Sequence, residues 1–207
     1  MKLQEIIGNE NVKRAIEVSL SGNHKIVLIE TINSQANELL EAAKQIAKEN
    51  GLEFNGEVVS LCPCKAYTNP IHDCHCSLSE IETHIKKIAK TILSADIIAE
   101  TTTPMESETI ERNELDKSVI RRILSVDRSK CPKYNLMTDD ALFLLNHALK
   151  NDVFDDDMSN TISKVANTIS NMEGRGAIET PHLYEAIHYL PSYIIQMVKI
   201  YDGKEIA

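Results

Sequence analysis

Tryptophan is absent from this 207-residue chain, and phenylalanine occurs only three times. Few aromatic platforms are therefore on offer for stacking on bases. Positive charge is also scarce. Against 31 Asp and Glu stand 22 Lys and Arg, for a formal net charge of −9. Phosphate contacts need clustered Lys and Arg, so nucleic acid is not an expected partner of the isolated chain. No apolar run approaches the length of a bilayer span, and Met1-Lys2-Leu3-Gln4-Glu5 leads into no apolar segment. The expectation is a soluble, cytoplasmic protein with no membrane partner. Repeats and low-complexity segments are lacking, as are G-x-S-x-G and H-E-x-x-H, so no catalytic residue is marked.

What the chain does have is a concentration of thiols. Four of its five cysteines lie in CPCKAYTNPIHDCHC, from Cys62 to Cys76, as two C-x-C pairs nine residues apart. Four thiols that a short loop can gather suit tetrahedral Zn²⁺, which prefers sulfur and nitrogen ligands. Cys62, Cys64, Cys74 and Cys76 are the candidate ligands of a structural zinc. His72 or His75 could replace one of them. Reduced pairs without metal, or disulfides within the loop, are the alternatives; a reducing compartment favours metal over disulfide. Cys131 stands alone beside Pro132 and reads as a bystander.

Around that loop the chain divides into unlike halves. Asn9 or Asn11 can cap a helix to residue 20, with Val12, Ala15, Ile16 and Leu20 on its apolar face. The unbroken apolar run 26–29 fits a strand buried on both faces. A turn at 31–34 and a helix to residue 48 follow, with Leu39, Leu40, Ala43, Ile46 and Ala47 inward. A second strand at 57–61 completes a βαβ unit and implies a parallel sheet. Ser77-Leu78-Ser79-Glu80 has capping-box form and opens a helix to about residue 90, buried through Ile81, Ile85, Ile88 and Ala89. Residues 97–99 read as a third strand.

Thr101-Thr102-Thr103-Pro104 is the best linker signal, and everything beyond it reads as helix. One helix spans 115–128, with Leu115, Val119, Ile123 and Val126 inward and Arg121, Arg122 and Arg128 outside as a solvated face. A second, capped by Thr138, spans 139–150 with Leu142, Leu145 and Leu149 inward. A third spans 158–172 behind Asp155-Asp156-Asp157, which read as helix-start charge in preference to a cation site. Thr180-Pro181 starts a fourth. The apolar tail 193–201 either packs on the body or meets a partner. The division is thus 1–103, an α/β unit with the cysteine loop 62–76, and 104–207, a helical bundle.

This order of features resembles the magnesium-chelatase-like AAA+ ATPases, most closely the ComM/YifB branch of competence-related ATPases linked to DNA branch migration. The residues that carry the resemblance are Ile7-Gly8-Asn9-Glu10 with Lys13 to Glu17, then Gly22, His24 and the run 26–29. The cysteine segment from Val58 is similar to that branch's own. So are the stretches 119–128, Val165 to Ile169, Glu173-Gly174 and His182 to Ile187, which resemble its C-terminal domain. The resemblance implies a small P-loop-NTPase-like, AAA+-like unit followed by a helical lid-type bundle.

Against that family the nucleotide chemistry is missing. A P-loop needs glycines whose N–H groups wrap phosphate, a Lys for the β/γ-phosphates and Ser/Thr for Mg²⁺. Here Glu30-Thr31-Ile32-Asn33-Ser34-Gln35-Ala36-Asn37 has no glycine. Ala36 takes the lysine position, Asn37 the Ser/Thr position, and Glu30 brings negative charge to where phosphate would sit. Glu30, Asn33, Ala36 and Asn37 thus mark a degenerate P-loop. A strand ending in paired acids is missing between Ala36 and Val58. The sensor Asn is Ser60, no arginine finger occurs in 92–96, and Asp155-Asp156-Asp157 stands where a sensor arginine belongs. Each lost part acts electrostatically on a polyanion, so no ATP binding is expected. The resemblance implies a truncated, non-catalytic pseudo-ATPase acting through a protein partner or a homo- or hetero-oligomer. The alternative is an accessory ATPase subunit or DNA-processing factor of a hetero-oligomeric complex.

Overall fold

Ile26–Ile29 carries four apolar side chains with no alternation, and all four are fully buried. In the computed structural model of the chain this segment is β1, the middle strand of a three-stranded sheet of order β2-β1-β3. The described residues are 3–67, 71–104, 115–126, 136–150 and 154–203. Both neighbours, β2 (Gly56–Val59) and β3 (Ile97–Glu100), run parallel to β1. Burial on both faces is what a parallel centre requires. The architecture is therefore α/β, with a small parallel sheet and eight α-helices among the described residues.

Helices α1 (Glu10–Gly22) and α2 (Ala36–Glu49) cover one face: α1 lies against β1 and β3, α2 against β1 and β2. A Cβ on Gly56 would meet Leu40 of α2. Glu57, one residue on and so on the other face, reaches Thr91 of α3 (Leu78–Leu93). The expected capping box of α3 is present, with the Ser77 and Glu80 side chains exchanging hydrogen bonds with each other's backbone N–H. Its buried stripe is Ile81, Ile85, Ala89 and Ile92, while Ile88 is only partly buried.

Five helices follow: α4 (Leu115–Ser125), α5 (Asp139–Leu149), α6 (Asp156–Met172), α7 (Thr180–His188) and α8 (Ser192–Tyr201). The apolar tail forms α8, buries Ile194, Ile195 and Val198, and packs on α3. Helices α4 and α6 pack on α1, and the buried apolar residues of both halves form one cluster. The outer edge of β3 is covered where α7 meets α8: Ile98 N–H donates to the Tyr189 carbonyl at 2.7 Å. Such cover removes an edge that would otherwise recruit another strand.

Several sequence expectations need correcting. Asn9 precedes α1 in a left-handed conformation and does not cap it through its side chain. Its amide instead brackets Thr102, giving Nδ2–H to the carbonyl at 3.1 Å and accepting the N–H at 2.8 Å. Thr101 to Thr103, read as a linker, are bound to the sheet. Thr101 is buried and its N–H and Oγ1 both donate to the Ile29 carbonyl. Leu142 is 47% exposed, because only Ala141 and Leu145 of α5 turn fully inward. Arg122 is not merely a solvated charge: it pairs at 3.0 Å with Glu17, whose side chain is 8% exposed. Arg14 joins Glu17 to Glu185, so ion pairs link α1 to α4 and α7. Thr180 is the first residue of α7, not its cap; Glu179 N–H is satisfied by His182 Nδ1 at 2.9 Å. Arg128 and Cys131 lie outside the described residues.

At the end of α1, Gly22 lets α6 approach. A Cβ there would overlap His24 Nε2 and come within 2.5 Å of Thr168 Oγ1, and these two atoms are hydrogen-bonded at 2.8 Å. Gly22→Ala should cost about 2 kcal/mol by overpacking, read as a lower urea midpoint; an unchanged midpoint would contradict this packing. Burial also lowers the His24 pKa, although Asp96 opposes the shift. A lowered folded pKa means that the unfolded chain binds the proton more readily. Stability should therefore fall as pH drops from about 7 through the ordinary histidine range. Urea titrations of wild type and His24→Gln between those conditions should show the shallower slope for the variant.

Candidate metal centre

The cysteine loop begins where β2 ends. Leu61 and Cys62 are buried, which anchors the loop to the core, and Ala66 is buried four residues on. Between them the chain turns sharply: Lys65 adopts φ 63°, and its N–H donates to the Cys62 carbonyl at 3.1 Å. The left-handed conformation is uncommon for a side chain of this kind. It folds Cys64 back towards Cys62. The returning chain delivers Cys74 and Cys76 directly before Ser77 caps α3. From α3 the His84 Nε2–H reaches back to the Ser60 carbonyl at 2.8 Å. Both ends of the loop are thus tied to one helix.

The result is convergence of all four sulfurs. Cys62 and Cys64 Sγ are 3.3 Å apart, Cys64 and Cys74 3.5 Å, and Cys74 and Cys62 3.7 Å. All four Sγ atoms lie within 4.8 Å of one another, and all four thiols are free. The disulfide alternative is therefore not the arrangement found. A tetrahedron of sulfurs at the usual zinc–sulfur bond length has edges of about 3.8 Å. The donor set fits a metal ion of that kind with no change of partners. Neither His72 nor His75 joins the four.

Charge in the cluster follows one pattern. Burial opposes ionisation of Cys64, yet the Ala66 N–H and hydrogen bonds with Cys62, Cys76 and Cys74 bring it down to about 6. Burial pushes the Cys62 and Cys74 thiols up, and the hydrogen bond with Cys64 pushes Cys76 up. Four sulfurs this close accommodate one negative charge readily and resist further ones. A cation at the centre would relieve that resistance.

The chain matches no family model, and no curated protein matches it.

The loop after β1 holds the residues marked as a degenerate P-loop, and the structure joins it to the cysteine loop. Lys65 Nζ pairs with Glu30 Oε2 at 2.8 Å, and Ile32 N–H donates to the Lys65 carbonyl at 3.0 Å. Asn37 Nδ2–H donates to the other Glu30 oxygen at 3.3 Å. Asn33 sits at φ 56° within a turn closed by Thr31 and Ser34. Ala36 is buried as the first residue of α2. Across the sheet Thr31 Oγ1–H donates to the Thr101 carbonyl, and Thr103 Oγ1–H to the Ile32 carbonyl at 2.8 Å. The crest between β1 and β3 is filled by its own hydrogen bonds.

Other sequence candidates lie elsewhere. Asp155 caps α6 through Met158 N–H and pairs with Lys199 at 3.1 Å, so it does helix-start work. His182 lies against Glu173 at 3.1 Å. Sequence reasoning missed Lys65, His84 and Asn9 as organisers. Only the tertiary structure brings their partners within reach.

Replacing Cys62 by Ser removes one of the four donors and should lower the melting temperature by about 10 °C, the effect expected when a site able to hold an ion can no longer do so. Lys65→Met removes only a half-exposed ion pair and should lower it by about 2 °C. Calorimetric scans of both variants check this order. Equal melting temperatures for Cys62→Ser and wild type would contradict it.

Proposed function

We propose that this chain is a degenerate member of the magnesium-chelatase-like AAA+ family, nearest the ComM/YifB branch, that has lost nucleotide chemistry and works through protein contacts. In this reading Cys62, Cys64, Cys74 and Cys76 hold one structural Zn²⁺. When bound, the ion neutralises thiolate charge and cross-links the loop between β2 and α3. Residues 1–103 correspond to an internally shortened AAA+-like unit, and 104–207 to the lid-type helical part. The same reading makes the protein cytoplasmic, in a compartment where thiols stay reduced.

The observation that carries the loss of ATP chemistry is the state of the loop after β1. A phosphate needs free backbone N–H groups and a nearby cation. Here Ile32 N–H is spent on Lys65, and Thr31 N–H lies 3.1 Å from Ser34 Oγ. The Lys65 ammonium is paired with Glu30, so the cation this loop does meet comes with its own carboxylate. Displacing these partners would uncouple the two loops. The convergence of four thiols supports the metal part independently. With catalysis gone, a scaffold that keeps its core and its cysteine clasp has its surface left to act with.

Two measurements test this. Calorimetric titration with Mg-ATP should give no heat of binding, and micromolar affinity would overturn the pseudo-ATPase reading. Protein purified without added zinc should contain about one zinc per chain, as four ligands to one ion require. Its absence from protein with intact thiols would overturn the metal assignment.

A further inference from the structure

On the far side of β3 from the cysteine loop lies an open cavity of about 580 Å³. That is the size of a small-molecule site. Its wall brings together Glu100, His147, Phe154, Tyr184, His188 and Tyr193; the rest is aliphatic apart from one serine. Phe and Tyr number nine in the whole chain, 3 Phe and 6 Tyr. Three of them meet here, in a sequence otherwise poor in aromatic side chains. Tyr184 and His188 lie one helical turn apart on α7 with ring centroids 4.2 Å apart and planes tilted by 48°. The His188 ring is held by its Nδ1, which donates to the Tyr184 carbonyl at 2.8 Å.

Glu100 is the last residue of β3, and the carboxyl end of a parallel strand is where open α/β sheets place ligands. It is the only carboxylate among the described residues of the wall, and no lysine or arginine among them lines the cavity beside it. Tyr193 shares the wall with it, and burial together with the Glu100 carboxylate raises the Tyr193 pKa. Glu100 is a half-buried carboxylate with acceptor capacity to spare, in a wall that also holds three aromatic rings. Aromatic faces carry negative quadrupole potential and attract a cation placed over them. A phosphate or carboxylate ligand would meet Glu100 as a like charge. A purely apolar ligand would bury Glu100 without a counter-charge.

We propose that this cavity binds an alkylammonium head group, with the cation between the Glu100 carboxylate and the faces of Tyr184, Tyr193 and Phe154. The head group could come from a small amine or from a methylated lysine side chain. The chemistry is the same for both. This site is independent of the cysteine cluster and of any nucleotide reading.

The absence of tryptophan makes tyrosine emission a direct reporter. The full chain is titrated at pH 8 with choline, with a short peptide carrying trimethyllysine, and with dimethylbutanol, the neutral carbon isostere of choline. Saturable binding of choline identifies a small-molecule site; binding of the peptide alone identifies a side-chain site. The isostere should bind about tenfold more weakly than the cation, and Glu100→Gln should weaken cation binding by about tenfold. Tyr184 is 58% exposed, so its variants should stay folded, as circular dichroism can check. Tyr184→Phe should keep binding and Tyr184→Leu should lose about fivefold. No binding of either cation, equal binding of the isostere, or full affinity in Glu100→Gln would overturn the proposal.

Discussion

Four sulfur atoms held within 4.8 Å of one another are the constraint on which the crest of this molecule depends. Thiols do not crowd in this way for their own sake. Ionising one raises the cost for the rest, and burial of Cys62 and Cys74 and the hydrogen bond between Cys64 and Cys76 already push those three thiols, Cys62, Cys74 and Cys76, up. The loop is nevertheless built to crowd them, through a left-handed Lys65, a buried Cys62 and a capped α3. From that turn Lys65 reaches the loop after β1 twice, by its side chain to Glu30 and by its carbonyl to Ile32. One clasp therefore sets two loops.

The sheet below is small, and its stability comes from being covered. β1 is paired on both sides and buried on both faces. α1 and α2 take one face; α3 reaches β2 on the other through Thr91 and Glu57, with α8 packed on α3, while the α7–α8 junction closes the β3 edge through Tyr189. The helices after residue 104 are thus part of the sheet's protection. The Glu17–Arg122 ion pair and the His24–Thr168 hydrogen bond beside Gly22 hold α4 and α6 onto α1.

Much of this was legible in the sequence because local chemistry announces it. The apolar run 26–29 fitted a strand buried on both faces, and Ser77 with Glu80 specified the start of α3 within a residue. The cysteine spacing pointed to a gathered donor set before any coordinates did. What was not legible depended on distant partners. Asn9 had the form of a helix cap, yet Thr102, 93 positions away, claims its amide. The threonines 101–103 had the composition of a linker, but their hydroxyls satisfy carbonyls of β1 and the loop after it. Leu142 fitted a helical stripe whose neighbour packs on one side only. Glu30 looked like a bare charge in a phosphate position; its counter-ion, Lys65, is 35 residues on and reaches it only through the cysteine turn.

The account's central claim is that the cysteine clasp, closed by a metal ion, holds the loop after β1 as well as its own. Hydrogen exchange with and without a strong chelator tests it most directly. The account predicts that chelation speeds exchange in 62–76 and also in 30–37, while 180–201 stays protected. Faster exchange confined to 62–76, or no change anywhere, would contradict it.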